Sequence, residues 1–360
     1  MKPSAIDALY ALGRPLSPLY GQVMKIRAFL YRRHLLRRYH LEVPVISVGN
    51  LTMGGTGKTP LVIYLARFLM QLGYRPAVIS RGYKSRARVP VHVVAGNGEI
   101  LAERSEAGDE ALLVAERVPG VVVITGKKRI LPCRKAIDSF GCDVLILDDA
   151  FQHLAIDRTL DLVLFDVDHF AGKSRVFPGG ELREPISALH RCDAFILTGV
   201  TPSNQERFVK CRDLLVGRFG AKPVIALSRS VQQVCSYTFH EGGVTRQYGD
   251  LTGITAPLLG FCGIARPERF QQSLNDHRLR IASFVTFGDH HQYTAKDLRR
   301  LAEEADLVGA EGFVTTEKDM IKIRELQPAT ALPFHVPILD LAPSDDLTEL
   351  LADHLPGITR

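Results

Sequence analysis

"ISVGNLTMGGTGKTPLVIYLARFL", residues 46 to 69, is an apolar strand, a glycine-rich turn and an amphipathic helix in immediate succession. Thr52, Met53, Gly54, Gly55, Thr56, Gly57, Lys58 and Thr59 stand where a phosphate-binding loop needs them. Glycine lets the backbone fold until its N–H groups point inward at phosphate oxygens. Lys58 is placed to reach β- and γ-phosphates, and the Thr59 hydroxyl to bind Mg2+. The helix that starts there adds its positive end to the anion site. The first glycine of the usual pattern falls at Thr52. Gly54 and Gly55 compensate, as in loops of the "KGGVGKT" kind.

"DVLILDDAFQH" (143–153) supplies the other half of such a site. An apolar strand ending in Asp148 and Asp149 puts carboxylates at the carboxyl edge of a sheet, beside the loop, where Mg2+ would sit. Proteins that read guanine usually carry Asn/Thr-Lys-x-Asp. The nearest stretch, "TTEKD" (315–319), has Lys318 and Asp319 adjacent, so the spacing fails and ATP is the expected nucleotide.

Strand, turn and helix then repeat. Strands are expected over 43–48, 76–80, 121–125, 144–148, 162–167, 194–198 and 223–228, several of them near-continuous Val/Ile/Leu runs. Such runs suit parallel strands buried on both faces. Helices are expected over 61–72, 110–117, 205–215 and 345–354. Asn97-Gly98, between two short β runs, predicts a hairpin with a primed turn. The expected fold is α/β: a P-loop-type, doubly wound, mostly parallel sheet, a second, smaller α/β lobe, and an N-terminal amphipathic membrane-associated helix. The expected divisions are 1–41, a basic amphipathic docking segment; 42–230, the nucleotide-binding core; 231–255, an extended connector or β ribbon; and 256–360, a C-terminal α/β lobe.

The six cysteines form no Cys-x-x-Cys pair and read as reduced thiols. The net charge of +6 is local: residues 1–40 hold eight basic side chains and one acid, leaving the rest of the chain at −1. Leu19, Val23, Ile26 and Leu30 recur at helical spacing, flanked by Lys25, Arg27 and Arg32, with Tyr20, Phe29 and Tyr31 nearby. The segment has neither the order of a secretory signal nor the apolar length of a membrane span. Three readings stay open: an interfacial helix on an anionic membrane, a basic helix packed on its own domain, and a nucleic-acid arm.

The residues resemble one family closely, tetraacyldisaccharide 4'-kinase, the lipid A 4'-kinase of Gram-negative outer-membrane biosynthesis. The shared motifs are "PLSPLYG", "VPVISVGNLTMGGTGKTP", "SRGYKSR", "GDEALLVA", "LDDAFQH", "FPGGELREP", "FGDHHQY" and "VTTEKDMIK", in order from about residue 16 to about residue 340. A series of that kind is specific where a phosphate loop alone is not. The resemblance implies an ATP- and Mg2+-dependent enzyme on the cytoplasmic face of the inner membrane. It would phosphorylate the 4'-hydroxyl of a tetraacylated glucosamine disaccharide 1-phosphate to give lipid IVA, and it favours the membrane reading of the basic segment. It also implies that Asp109 is the general base, that His290 pairs with it, and that Asp148 and Asp149 serve Mg2+. His153, Arg183 and Glu184 would line the site. Position 150 is Ala where the family often has Gly, which predicts strain if that turn needs a positive φ.

Taken alone, these residues have duller readings. Asp109 also suits a helix start. "DHHQ" also suits a surface loop. Phe151, Tyr83 and Tyr293 read as packing residues, and "TGKKR" (125–129) as a solvated strand end. The rival function is a P-loop ATPase switch or partner-delivery protein without a lipid substrate. A nucleic-acid binder finds no supporting motif, and no obligate protein partner is implied.

Overall fold

The computed structural model describes residues 5–82, 89–170, 175–342 and 344–355. The part of "SRGYKSR" from Tyr83 onward lies outside the described residues. The chain forms two compact units: residues up to Arg229 together with those from Leu341 onward, and Ser230–Asp340.

The first unit is built on a sheet of β1 (Val45–Asn50), β2 (Pro76–Ser80), β3 (His92–Gly96), β4 (Glu99–Ile100), β5 (Val122–Thr125), β6 (Val144–Asp148), β7 (Leu160–Asp166), β8 (Ala194–Thr198) and β9 (Val224–Leu227). Their order is β4-β3-β5-β2-β6-β1-β7-β8-β9. Pairing is parallel from β5 across to β9. The β3–β4 hairpin continues the sheet antiparallel, with φ 53° at Asn97 and 86° at Gly98, as a primed turn requires. Every residue of β1, β6, β7 and β8 is buried. Continuous Val/Ile/Leu runs therefore match strands covered on both faces, each buried aliphatic side chain contributing about 1.5–3 kcal/mol.

The helices of this unit are α1 (Ala5–Gly13), α2 (Ser17–Arg32), α3 (Lys58–Gln71), α4 (Arg104–Ala107), α5 (Asp109–Arg117), α6 (Ile130–Phe140) and α7 (Gln205–Phe219). Cys133 and Ala136 of α6 pack with Val45, Ile79 and Leu145; Cys211, Leu215 and Phe219 of α7 pack with Val163 and Phe195. In register, Val48 of β1 stands beside Asp148 of β6, and Asn50 beside Leu164 of β7. The loops after β1 and β6 thus leave the same carboxyl edge as neighbours, the edge at which doubly wound sheets bind ligands.

The second unit carries β10 (Arg229–His240), β11 (Gly243–Gly249), β12 (Leu258–Cys262), β13 (Ile281–Thr286), β14 (Gly312–Val314) and β15 (Phe334–Leu341), ordered β11-β10-β15-β14-β12-β13. With them go α8 (Pro267–Asp276), α9 (Ala295–Val308) and α10 (Glu317–Ile323). Phe261 sits at its centre, meeting Phe287, Tyr293, Phe313 and Phe334 edge to face.

Two expected boundaries move. Residues 231–255 take the β-ribbon form rather than that of a free connector, and belong to the second unit's sheet: β10 and β11 pair antiparallel. Alternate residues Cys235, Tyr237 and Phe239 are buried there, a period-2 pattern masked by the polar residues between them. The C-terminal lobe does not run to 360 either. The chain rejoins the first unit at Leu341, where the Ala342 N–H donates to the Ser228 carbonyl at 3.2 Å. The final helix, α11 (Asp345–His354), buries Leu347, Leu350 and Leu351.

Candidate active site

Residues 51–57 turn back from β1 to start α3. Gly54 (φ 110°) and Gly57 (φ 89°) hold backbone that side chains other than glycine rarely adopt. Thr52 does not. It forms an isolated antiparallel bridge with Leu182, and the Met53 N–H donates to the Glu181 carbonyl at 2.8 Å. Extended backbone needs no glycine, which explains the departure at that position. Asn50 Nδ2 ties the root of the loop, donating to the carbonyls of Thr52 (2.8 Å) and Gly54 (3.4 Å). Met53, Gly54 and Gly55 form the exposed crest, while Thr56 and Thr59 are buried. Lys58 Nζ donates to Asn50 Oδ1 at 3.2 Å and stands 3.4 Å from Asp149 Oδ1.

The loop after β6 is held by guanidinium groups. Arg129 Nη2 donates to the carbonyls of Asp148 (2.6 Å) and Asp149 (3.0 Å). Arg158 Nη2 donates to those of Ala150 (2.6 Å) and His153 (2.7 Å), and Arg191 Nη2 to that of Phe151 (2.8 Å). In "TGKKR" Lys127 and Lys128 are exposed, as at a solvated strand end, but Arg129 is 5% exposed, because two peptide carbonyls and the acids beside them need its donors. The expected strain at Ala150 does not arise, since the positive φ (47°) falls on Asp149, an aspartate that tolerates it.

These contacts divide the acid pair. Burial alone would raise the Asp149 carboxyl, but the Lys58 and Arg183 charges and an Arg183 hydrogen bond hold it low. Arg183 Nη1 donates to Asp149 Oδ1 at 2.6 Å. Burial, then the neighbouring charges of Glu110 and Asp149, push the Asp148 carboxyl up to about 7 against the pull of Lys58 and Arg129. Asp148 Oδ1 is buried and takes no hydrogen bond among the described residues. A carboxylate crowded by acids and left with an open oxygen suits a hard cation. No group of three carboxylate, imidazole or thiol side chains among the described residues forms a metal cage. Mg2+ does not call for one, being held by one or two carboxylates, waters and substrate phosphates. The residues present fit it.

Asp109 begins α5, its Oδ1 3.3 Å from Arg104 Nη1. Its neighbour Glu110 acts on Asp148, so the start of α5 faces the acid loop. His153 follows that loop. Burial and then the charges of Arg129, Arg158, Arg27 and Arg81 lower it to about 4, leaving the imidazole neutral at pH 7. Glu184 does not face solvent: it pairs with Arg191 Nη2 at 2.5 Å and lies 3.9 Å from Arg27 Nη1.

His290 lies in the second unit on a turn with φ 56°, its N–H donating to the Gly263 carbonyl at 3.0 Å. "TTEKD" is a scaffold for that turn. The buried Asp319 accepts from Gly263 N (2.9 Å) and Thr316 Oγ1 (2.7 Å), with Lys322 Nζ 3.5 Å away. His291 is packed instead, stacked on Phe287 at 4.7 Å and 3.2 Å from Asp297 Oδ2. Phe151 and Tyr293 are buried, as packing residues should be.

The N-terminal helices seat against the segment that delivers Arg183. The Tyr20 hydroxyl meets the Arg183 carbonyl at 3.5 Å, and Gly21 faces Pro185. Arg27, expected on the outer flank, turns inward and donates to the Gln152 carbonyl at 3.0 Å. Gln152 in turn donates through Nε2 to the Asn50 carbonyl (2.9 Å), joining helix, acid loop and phosphate loop. Meanwhile Leu9, Leu12, Leu16, Leu19, Val23 and Ile26 are exposed. No helix among the described residues is long and apolar enough to cross a membrane. Sequence reasoning missed Asn50, Glu110, Arg129 and Gln152. The one local signal was Asn50, a polar residue closing a buried strand.

A family model described as Tetraacyldisaccharide-1-P 4'-kinase matches residues 9–356. A tetraacyldisaccharide 4'-kinase of Desulfotalea psychrophila is 43% identical over 345 residues, 96% of each chain. Another, of Syntrophus aciditrophicus, is 41% identical over 88% of this chain and 85% of its own. The crystal structure of LpxK from Aquifex aeolicus in complex with ATP matches with a TM-score of 0.72 at 29% identity, covering 95% of this chain and 98% of that one. The chain belongs to the tetraacyldisaccharide-1-P 4'-kinase family.

Proposed function

We infer that this protein transfers the γ-phosphoryl group of ATP to the 4'-hydroxyl of a tetraacylated glucosamine disaccharide 1-phosphate, forming lipid IVA in lipid A biosynthesis. The observation that carries the reading within the molecule is Lys58 Nζ held 3.4 Å from Asp149 at the sheet edge where the two loops adjoin. Phosphoryl transfer asks chiefly for in-line positioning and charge neutralisation. Backbone N–H groups of residues 54–59 and the Lys58 ammonium grip the phosphates. Thr59 and Asp148, with Asp149, are the residues that would hold Mg2+, which neutralises charge on the phosphate oxygens. The sugar oxygen attacks phosphorus, the bond to ADP breaks, and Asp109 accepts the hydroxyl proton. Such a base is worth about 10²–10⁴-fold. Arg104 orients Asp109, and Arg183 restrains Asp149. His290 enters through the family resemblance as the partner of that base, and His290→Ala tests its part in kcat.

The acyl chains of this substrate stay in a bilayer, and the exposed apolar face of α1 and α2 suits the cytoplasmic surface of the inner membrane. Basic residues near an anionic surface contribute about 1 kcal/mol each. Because α2 also packs inward, the apt variant is Leu19→Glu with Val23→Glu rather than a deletion. It should lose sedimentation with anionic vesicles while keeping nucleotide binding; unchanged sedimentation contradicts membrane docking. The function itself is tested by incubating protein, ATP, Mg2+ and the acylated disaccharide 1-phosphate in detergent. Bisphosphorylated lipid is expected, and ATP hydrolysis without lipid product would instead mark a switch ATPase.

A further inference from the structure

The amino end of α3 offers the nucleotide fewer donors than a helix start ordinarily would. A helix leaves its first four N–H groups open. Here the four belong to Gly57, Lys58, Thr59 and Pro60, and Pro60 has none; the Leu61 N–H makes the ordinary first helical bond, to the Gly57 carbonyl at 3.4 Å. Gly57, Lys58 and Thr59 keep theirs. A guanidinium stands beside this gap. A Cβ added at Gly57 would strike Arg229 Nη2, so that side chain lies directly against the last glycine of the loop. Arg229 Nη2 also donates to Thr198 Oγ1 at 3.3 Å, and Thr198 Oγ1 donates to the Thr56 carbonyl at 2.7 Å. Thr198 ends β8, and Arg229 follows β9 by two residues. Both strands run parallel to β1 on the side away from the acid loop, in the order β1-β7-β8-β9. A nucleotide whose terminal phosphate lies toward Asp148 therefore extends its other end along the edges of β7 to β9, past Arg229.

We propose that Arg229 binds the nucleotide at its α-phosphate, supplying from just beyond β9 a donor in place of the one that Pro60 withholds from α3. A guanidinium presents its N–H groups as a planar fork matched to two phosphate oxygens. The inference rests on the nucleotide-binding reading above and adds to it a residue and the group it touches. Arg229 and the loop both belong to the first unit.

The test is calorimetric binding of ADP, and of the two α-thio diastereomers of ADP, to wild type, Arg229→Lys and Arg229→Met. Thermal unfolding serves as the fold control. Loss of a charge-assisted hydrogen bond should weaken ADP binding about 10- to 100-fold in Arg229→Met, with Arg229→Lys between. KM for ATP should rise by a similar factor, with KM for the lipid unchanged. Wild type should prefer one diastereomer, because sulfur replaces an oxygen that Arg229 contacts, and Arg229→Met should bind both alike. ADP affinity within about twofold of wild type overturns the proposal. So does weakened binding that keeps the diastereomer preference, which would make Arg229 a brace for Thr198 only. Wild-type protein that fails to bind ADP at all would overturn the nucleotide site itself along with it.

Discussion

The loops after β1 and β6 leave neighbouring strands at the same edge, yet they are held by opposite means. The first is shaped by its own glycines and by neutral groups: Gly54 and Gly57 take left-handed backbone, Asn50 closes the root across four residues, and the Glu181 carbonyl and Thr198 hydroxyl pin Met53 and Thr56. The second is shaped from a distance. Arg129, Arg158 and Arg191 reach in and hold its carbonyls, while Arg183 holds its outer carboxylate. A loop that must present N–H groups to an anion is free to satisfy itself with backbone. A loop that must present carboxylates needs cations around it, or its charges would repel one another and resist burial.

Substitutions can break this contrast. The largest effect is expected at Lys58: Lys58→Ala should lower kcat by about 10³-fold or more, as removal of transition-state charge stabilisation does, with thermal stability nearly unchanged. Retained turnover would remove the loop from the chemistry. Next comes Asp109→Ala, for which kcat should fall at least about 10²-fold with little change in ATP affinity; near-normal kcat would assign the proton to another group. Arg129→Met should do the reverse of Lys58→Ala and act first on the fold. Two buried carbonyls lose their donor, so chemical denaturation should show a loss of about 2–4 kcal/mol. An unfolding midpoint equal to wild type would mean the acid loop holds itself.

The smallest effect concerns His153, whose folded pKa of about 4 lies below its unfolded value. Above about pH 6.5 both states are neutral there, and the residue contributes no pH dependence. As pH falls from 6.5 toward 4 the unfolded chain takes up a proton that the folded chain refuses, so stability declines across that window. His153→Gln should flatten the decline. An unaltered slope between wild type and variant would place its origin elsewhere.

The same contrast explains what could be read in advance. Strand, glycine turn and helix at residues 46–69 carry their reasons in adjacent residues, and so do Asn97-Gly98 and the apolar parallel strands. The guanidinium clamp does not: Arg129 and Asp148 are 19 residues apart, Arg191 and Phe151 are 40 apart, and nothing near an isolated arginine says which carbonyl it will meet. Arg27 misled for a related reason, since one amphipathic helix serves two surfaces at once. Its apolar residues stay outside while Tyr20, Gly21 and Arg27 face the catalytic loops. The return of the chain to the first unit at Leu341 is likewise set by packing partners remote in sequence.

The division of labour between the two loops is tested most directly by crystals grown with Mn2+ and a non-hydrolysable ATP analogue, using anomalous scattering to find the ion. A manganese peak ligated by Asp148 and Thr59, with the triphosphate in the glycine loop beneath Lys58, is the result expected. A peak away from Asp148, or a triphosphate bound outside that loop, would contradict it.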